Sequence, residues 1–372
     1  MKTSLITFLA AAAVASAAGP RYAMYFDQWH YKNLPPKEVT AGINYVITAF
    51  ADPKDLILPV PKYEPFMKLN EIRALFDAGT KVCLAIGGWG MNEGFDTAAV
   101  SDESRKNFAK NVANITTALG YDCIDIDWEY PGGNGEDYKK NPNSGKASQI
   151  ETYPLLLKEV KAAIGDKELS IAVPGKAGDM IAYTAEQMPK INATVDVVNV
   201  MTYDLMNRRD NLTNHHTSIK GSLAAIDRYI ALGVPASKMN LGFAFYAKKF
   251  ATADGVTCDK PTGCKTALLE NADGTDPGLS AAVTFEIGNY VGDFDQVVKN
   301  SKADEDEGGQ WYWDSATKFY WTFDTPEFIA KKFTDIVKAR GLGGVMAWSL
   351  GLDSNDWSHV KAMQAGVKCL SS

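Results

Sequence analysis

The chain has 372 residues, of which 46% are apolar and 22% are charged, a balance that is ordinary for a soluble globular protein. Its net charge of −7 argues against a nucleic-acid or anionic-membrane partner, whereas a neutral polymer would meet no such repulsion. A chain of this length buries a large core without needing disulfides, and forms one large domain or two ordinary ones. We expect a monomer that binds neither nucleic acid nor a membrane.

Residues 1–17 are typical of a secretory signal peptide. Lys2 supplies a positive charge, residues 5–14 form a short apolar run, and Ala15-Ser16-Ala17 gives a small-residue cleavage site. The run is too short to span a membrane. We therefore expect a secreted protein whose mature chain, 18–372, is one domain. Three sequons that fit this route and are candidate glycosylation sites begin at Asn114, Asn192 and Asn211.

Secretion permits disulfides, and because the five cysteines are an odd number, at least one is left over. Cys258 and Cys264 flank a short loop that contains Pro and Gly, and we predict that they form a disulfide. Cys83 and Cys123 each lie inside an apolar, strand-like run. We predict that these two are buried thiols.

Eight apolar, β-rich runs recur along the chain with helical stretches between them. Their near-continuous apolar character indicates strands that are buried on both faces, as in a parallel sheet. The runs cover residues 22–26, 45–50, 82–86, 123–128, 169–173, 197–201, 241–245 and 344–348. The predicted helices cover residues 63–78, 104–119, 151–164, 223–232 and 326–340. This alternation predicts an α/β fold, a (β/α)8 TIM barrel, although a doubly wound open sheet has the same local signature.

The spacing between the last two runs is much larger than the others. Earlier runs start 23 to 46 residues apart, whereas the seventh and eighth start 103 residues apart. The excess, residues 251–320, is too long for a plain loop. It predicts a small inserted α+β subdomain between strands 7 and 8.

The fourth run carries three carboxylates spaced by two residues, Asp125, Asp127 and Glu129. On a strand all three side chains point to one face, which in a barrel is the interior, with Glu129 at the C-terminal mouth. Like charges in such a place raise each other's pKa, so the cluster should share at least one proton near neutral pH. A protonated carboxyl beside a substrate is what protonation of a glycosidic oxygen requires.

Other readings of these residues are less well supported. A calcium-binding loop needs a Gly at its sixth position, where this chain has Tyr130. The acids would be solvated if Cys123, Ile124, Ile126 and Trp128 formed the core instead, but the number of acids on one strand disfavours that.

The four histidines show no metal-ligand spacing, and we expect His215-His216 in a surface loop. The glycines at 132, 133 and 135 lead into a polar loop and are not assigned to phosphate.

The pattern D-x-x-D-x-D-x-E, filled by Asp122, Asp125, Asp127 and Glu129, resembles the signature of family 18 glycoside hydrolases, the chitinases and their relatives. The resemblance covers essentially the whole mature chain. Segments that also match are Tyr25-Phe26-Asp27-Gln28-Trp29, Ala49-Phe50-Ala51, Gly87-Gly88-Trp89, Met201-Thr202-Tyr203-Asp204 and Gly344-Val345-Met346-Ala347-Trp348-Ser349. The resemblance implies a secreted enzyme that acts on chitin and chitooligosaccharides and needs no metal or cofactor.

The resemblance further implies a retaining mechanism assisted by the substrate. Glu129 would protonate the leaving oxygen, while the substrate's own 2-acetamido oxygen attacks the anomeric carbon. Asp127 would hold the acetamide N–H, Tyr203 would hydrogen-bond its oxygen, and Asp125 would share charge along the strand. The residues implied to line the cleft are Tyr25, Phe50, Trp89, Met201, Asp204, Tyr246 and Trp348.

Two positions depart from the family's usual pattern. Ala85 stands where a Ser commonly donates to the carboxylate that corresponds to Asp125, and Lys248 stands where an Arg is common. We expect Asp125 to lack one hydrogen-bond donor, so that Ala85→Ser should raise activity. Lys248 cannot reproduce the bidentate contact of an Arg.

Two other functions share this motif. A chitin-binding lectin would sequester chitin fragments, but it need not retain Glu129. An endo-β-N-acetylglucosaminidase would cut the core of N-glycans, but the predicted insertion favours chitin. The signal-like segment, the sequons and the lack of a recognisable linker to a separate binding module suggest a compact secreted eukaryotic enzyme of fungal type, for which cell-wall or host contacts are an expectation.

Overall fold

The computed structural model describes residues 19–286 and 293–370, so the predicted signal peptide at 1–17 lies outside the described residues. The described strands are, in chain order, β1 (Arg21–Asp27), β2 (Tyr45–Ala51), β3 (Lys81–Gly87), β4 (Cys123–Asp127), β5 (Glu168–Pro174), β6 (Val197–Met201), β7 (Met239–Ala244), β8 (Tyr246–Ala251), β9 (Ser280–Thr284), β10 (Lys302–Asp304), β11 (Gly309–Asp314), β12 (Phe319–Phe323) and β13 (Gly344–Trp348).

The described helices are α1 (Lys37–Thr40), α2 (Pro53–Leu56), α3 (Leu69–Ala74), α4 (Glu93–Ala99), α5 (Asp102–Leu119), α6 (Gln149–Ile164), α7 (Met188–Thr194), α8 (Ile219–Ala231), α9 (Asp293–Asn300), α10 (Pro326–Lys332) and α11 (Ser358–Leu370). A π-helical segment, Phe333–Lys338, continues α10. Within the described ranges, no helix combines the length and the apolar character that crossing a bilayer requires.

Eight parallel strands close into a barrel in the order β1-β13-β7-β6-β5-β4-β3-β2. The closure is direct, because β1 pairs with β2 on one side and with β13 on the other. The predicted (β/α)8 barrel is therefore confirmed against the open sheet. Each predicted run became a barrel strand, since a strand enclosed by interior side chains and outer helices is buried on both faces.

One predicted helix is shorter than expected. The sequence pattern gave a helix over 63–78, but α3 covers only Leu69–Ala74. Pro65 accounts for the lost start of this helix, because the ring of a proline disfavours helical conformation in the residue before it, here Glu64. In contrast, α5 begins at a capping box between Ser101 and Ser104 and ends at Gly120, whose φ of 81° suits a residue without Cβ.

Between β7 and β13 the chain forms a second sheet, with strand order β10-β11-β12-β8-β9 and antiparallel pairing. The sheet runs from Tyr246 to Phe323, slightly wider than the predicted segment 251–320. Apolar side chains cover both of its faces, one group around Phe250 and Tyr320 and another around Trp321 and Phe323. Because β8 begins two residues after β7 ends, this sheet stands directly at the C-terminal mouth of the barrel.

The prediction of two buried thiols is wrong, since Cys83 and Cys123 form a disulfide. They are register partners on the adjacent strands β3 and β4, and their Cα atoms are 4.4 Å apart, within bonding reach. A separation of 40 residues along the chain gave no sign of this lateral register. A second disulfide joins Cys258 and Cys264, and Cys369 is exposed on α11.

The three sequon asparagines differ in their surroundings. Asn114 is exposed on α5, but the Thr116 of its sequon is fully buried. Asn192 is half-buried and its side-chain amide donates to the Gly233 carbonyl at 3.3 Å. Asn211 is exposed in the loop after β6. Thr213 of the Asn211 sequon is also buried, and glycosylation at all three stays a prediction.

Candidate active site

Strand β4 is buried along its whole length and places Asp125 and Asp127 inside the barrel. On the neighbouring strand β3 their register partners are Ala85 and Gly87. A Cβ at Gly87 would collide with the Asp127 carbonyl oxygen, and φ there is +109°. The small residues of β3 therefore let it approach the acid-bearing strand closely.

Asp125 lies at the base of the site and is fully buried. Its carboxylate accepts hydrogen bonds from Tyr25 Oη at 2.7 Å, Ser170 Oγ at 2.5 Å and Asn199 Nδ2 at 3.1 Å. Burial raises the pKa of Asp125, and these three donors oppose the rise. The expectation that Asp125 lacks a donor is therefore wrong. Ser170 supplies the hydroxyl from β5, on the opposite side from Ala85.

Asp127 and Glu129 form the upper part of the carboxylate row. Burial raises the pKa of Asp127 well above its usual range, and the charges of Glu129 and Asp125 raise it further. Burial also raises the pKa of Glu129 to about 8, against an opposing hydrogen bond from Tyr130. At neutral pH the Glu129 carboxyl is therefore protonated and can give a proton to a bound molecule.

Tyr203 and Asp204 follow β6 and enter the same space. The Tyr203 hydroxyl contacts the Met346 sulfur at 3.9 Å, a weak acceptor that leaves the hydroxyl available for a ligand. Burial alone would raise the pKa of Asp204, but the charge of Lys248 and the nearby His216 imidazole, 3.7 Å away, outweigh it and hold that pKa below its usual range. The ammonium of Lys248 lies 3.1 Å from Asp204, so an ion pair is present where the family commonly has Arg.

The expectation that His215 and His216 lie in a surface loop is wrong, because both are buried. The second sheet covers them: His215 contacts Asp304 at 3.0 Å, and the ring of His216 packs on that of Tyr246 with centroids 5.3 Å apart. Burial lowers the pKa of both imidazoles.

These groups open into a cleft of about 500 Å³ at the C-terminal mouth. Asp125 lies beneath it, while the other predicted site residues line it, namely Asp127, Glu129, Tyr203, Tyr25, Phe50, Trp89, Met201, Asp204, Tyr246 and Trp348. The rings of Phe50 and Trp348 stack with centroids 5.3 Å apart, and Trp29 lies 6.3 Å beyond Phe50. The side chains of Trp29 and Trp89 are 57% and 47% exposed, which leaves faces free for a planar ligand surface.

Sequence reasoning missed several cleft residues. Trp29 lies in a matched segment that predicts no role for it. Lys176, Asp179 and Arg209 come from polar loops that carry no distinctive pattern. Asp27 holds the turn that presents Trp29, because its carboxylate accepts the backbone N–H groups of Trp29 and His30 at 2.9 Å each.

The glycine-rich loop after β4 has a packing role. A Cβ on Gly135 would lie 2.7 Å from the Glu129 carbonyl oxygen and 2.6 Å from Asn92 Nδ2, so only glycine fits there. The loop folds back on the end of the acid-bearing strand. Across residues 19–286 and 293–370, no group of three His, Cys, Asp or Glu side chains is arranged to hold a metal ion.

A protonated carboxyl at the mouth of a (β/α)8 barrel, beside further carboxyls in an aromatic cleft, defines the class of the protein as a glycoside hydrolase. The family model described as "Glycosyl hydrolases family 18" matches residues 21–353, and the chain belongs to this family.

Curated relatives extend over most of the chain. "Chitinase 1" of Aphanocladium album is 27% identical over 93% of this chain and 85% of its own length. "Endochitinase 1" of Metarhizium robertsii is 28% identical over 91% of this chain and 82% of its own length.

Solved structures share the fold. A chitinase from Rhizomucor miehei has a TM-score of 0.73 at 20% identity, covering 92% of this chain and 99% of its own. A family 18 chitinase from Cycas revoluta in complex with (GlcNAc)4 has a TM-score of 0.72 at 20% identity, covering 92% and 98%.

Proposed function

We propose that this chain is a secreted chitinase that hydrolyses β-1,4 bonds between N-acetylglucosamine units of chitin and chitooligosaccharides. The observation that carries the proposal is Glu129, a carboxyl with a pKa of about 8 in an aromatic cleft. Both curated relatives described above are chitinases by name. The signal-like residues 1–17 support secretion.

In this proposal Glu129 acts first as acid and then as base. It gives its proton to the glycosidic oxygen as the bond to the leaving sugar breaks, and it then removes a proton from the incoming water. Burial keeps the proton on Glu129 until a sugar arrives. The aromatic rings of Trp348, Phe50 and Trp29 line one part of the cleft and offer apolar contact to the sugars.

The nucleophile in this proposal is the 2-acetamido oxygen of the substrate, which gives an oxazolinium intermediate and retention at the anomeric carbon. Asp127 accepts the acetamide N–H, and within the described residues its buried Oδ1 makes no hydrogen bond. The Tyr203 hydroxyl donates to the acetamide oxygen and aligns it. Asp125, held by Tyr25, Ser170 and Asn199, carries charge behind Asp127.

Product analysis on chitohexaose and on a high-mannose glycopeptide, side by side, tests the proposed function. We expect shorter chitooligosaccharides from the first and no released glycan from the second. Tight binding of chitohexaose without cleavage would instead identify a lectin. Release of the glycan with chitohexaose left intact would identify an endo-β-N-acetylglucosaminidase.

The pH dependence of hydrolysis should follow the pKa of Glu129. The acid form is the active one, and it persists below a pKa of about 8, so kcat/KM should hold through neutral pH and fall above pH 8. Asp204→Asn removes a neighbouring negative charge and should move this alkaline limb to lower pH. An alkaline limb near 4.5, the ordinary pKa of a glutamate, would show that the pKa of the acid is not raised and would contradict this expectation.

The three hydrogen-bond donors around Asp125 remove the reason to expect a gain of activity in Ala85→Ser. Because Asp125 already accepts three hydrogen bonds, we expect kcat/KM to change by less than about twofold. Ser170→Ala removes a hydrogen bond to a charged group and should cost about tenfold or more. The kcat/KM of both variants on chitohexaose tests this expectation. A gain of about three- to tenfold in Ala85→Ser would show that Asp125 did lack a donor, and would contradict it.

A further inference from the structure

Arg209, in the loop after β6, lies against two aromatic rings at the edge of the cleft. Its guanidinium carbon is 4.0 Å from the centroid of the Tyr138 ring and 5.8 Å from that of Trp89. A planar guanidinium stacks on aromatic faces and is more weakly hydrated than an ammonium. The arrangement therefore restrains the Trp89 ring from the side of Arg209.

Hydrogen bonds fix the guanidinium itself. Nη1 donates to the Asn134 carbonyl and Nη2 donates to the Gly135 carbonyl, each at 2.9 Å. Both carbonyls belong to the glycine-rich loop that packs on the end of the acid-bearing strand. Asp179, after β5, lies 3.8 Å from Nη1 and balances the charge. Arg209 thus connects loops that follow β3, β4, β5 and β6.

The surrounding contacts keep this cluster in place. Tyr138 donates its hydroxyl to Glu270, which also accepts from Arg208 Nε at 3.1 Å. The backbone N–H of Arg209 donates to the Asn207 side chain at 3.0 Å. The Arg209 side chain is 18% exposed, whereas Trp89 is 47% exposed. The guanidinium of Arg209 is thus held on one side of the Trp89 indole, and the exposed side of that ring remains accessible to a ligand.

We propose that Arg209 is a positioning residue that holds the Trp89 indole ready to stack on one sugar of the bound chain. The inference rests on the proposed function, because it concerns how the same cleft binds a chitooligosaccharide. Fixing the ring before binding lowers the entropy lost when the sugar docks. The charge pair with Asp179 is neutral overall, which suits an uncharged sugar.

The test is oligosaccharide binding by calorimetry in a Glu129→Gln background, with chitotriose to chitohexaose as ligands. Arg209→Met should weaken binding of the longer ligands by about two- to thirtyfold, the range of a partly desolvated cation–π contact. Arg209→Lys keeps the positive charge but lacks the planar guanidinium. It should therefore weaken binding less than Arg209→Met does, but still measurably. Tyr138→Leu should weaken binding more than Tyr138→Phe, which keeps the ring on Arg209 and loses only the hydroxyl bond to Glu270. Arg340→Lys is the matched control, because Arg340 pairs with Asp227 and neither residue lines the cleft. It should leave binding unchanged.

A double-mutant cycle separates positioning from general damage. If Arg209 acts through Trp89, Arg209→Met should cost little once Trp89→Ala is present, because the two losses overlap. In the active enzyme, Arg209→Met should raise KM and leave kcat nearly unchanged. Additive losses, or a fall in kcat at constant KM, would overturn the inference. Failure of the Glu129→Gln parent itself to bind any of the ligands would instead overturn the proposed function.

Discussion

Glu129→Gln is expected to lower the turnover of chitohexaose by about 10²–10⁴-fold while leaving oligosaccharide affinity within a few-fold. Gln keeps the shape of the side chain but has no proton to give. Burial makes the loss large, because it keeps the Glu129 carboxyl protonated at neutral pH, where it can donate to a bound sugar. Steady-state rates and calorimetric affinities measured on the same preparations check both halves of the expectation.

Glu136→Gln is the matched control for this variant. Glu136 lies exposed in the loop after β4 and outside the cleft lining, so the same substitution there should leave turnover unchanged. Residual activity of Glu129→Gln above about a tenth of the wild-type rate would be too high for loss of the general acid, and would place that acid elsewhere.

Removal of the acetamido group from the substrate is expected to abolish cleavage. The proposed nucleophile is part of the substrate, and a well-oriented internal nucleophile is equivalent to about 10⁵–10⁸ M of an external one. We therefore expect no detectable hydrolysis of a fully deacetylated hexamer, and competitive inhibition by a thiazoline that mimics the oxazolinium. Chromatography of the products and inhibition kinetics on chitohexaose measure the two effects.

In this experiment the effect of the substrate's charge has to be separated from the effect of losing its acetamido group. The deacetylated hexamer carries ammonium groups, so cellohexaose, which is neutral and also lacks the acetamide, serves as a second substrate. Both should be inert. Hydrolysis of either at a rate comparable with chitohexaose would exclude assistance by the substrate and would require a carboxylate or water as nucleophile.

The barrel was predictable from sequence because its strands are buried on both faces and therefore form near-continuous apolar runs. The carboxylates were predictable for a similar reason: residues spaced by two on a strand share one face, and β4 is buried along its length. In both cases the signal is a local periodicity among residues that are close in the chain.

Lateral partners were not predictable in this way. The Cys83–Cys123 disulfide depends on the register between β3 and β4, and the Ser170 hydroxyl reaches Asp125 from β5. Burial of His216 depends on the second sheet, which folds back over the mouth of the barrel. Arg209 belongs to a polar loop whose pattern gives no signal. In each case the deciding contact joins residues far apart in sequence.

The most direct test of substrate-assisted hydrolysis is the anomeric form of the first products of chitohexaose, followed by proton nuclear magnetic resonance immediately after enzyme is added at neutral pH. We predict shorter oligosaccharides that appear first as the β-anomer and only later equilibrate, because two displacements at the anomeric carbon retain its configuration. Products that appear first as the α-anomer, or chitohexaose that remains intact, would contradict it.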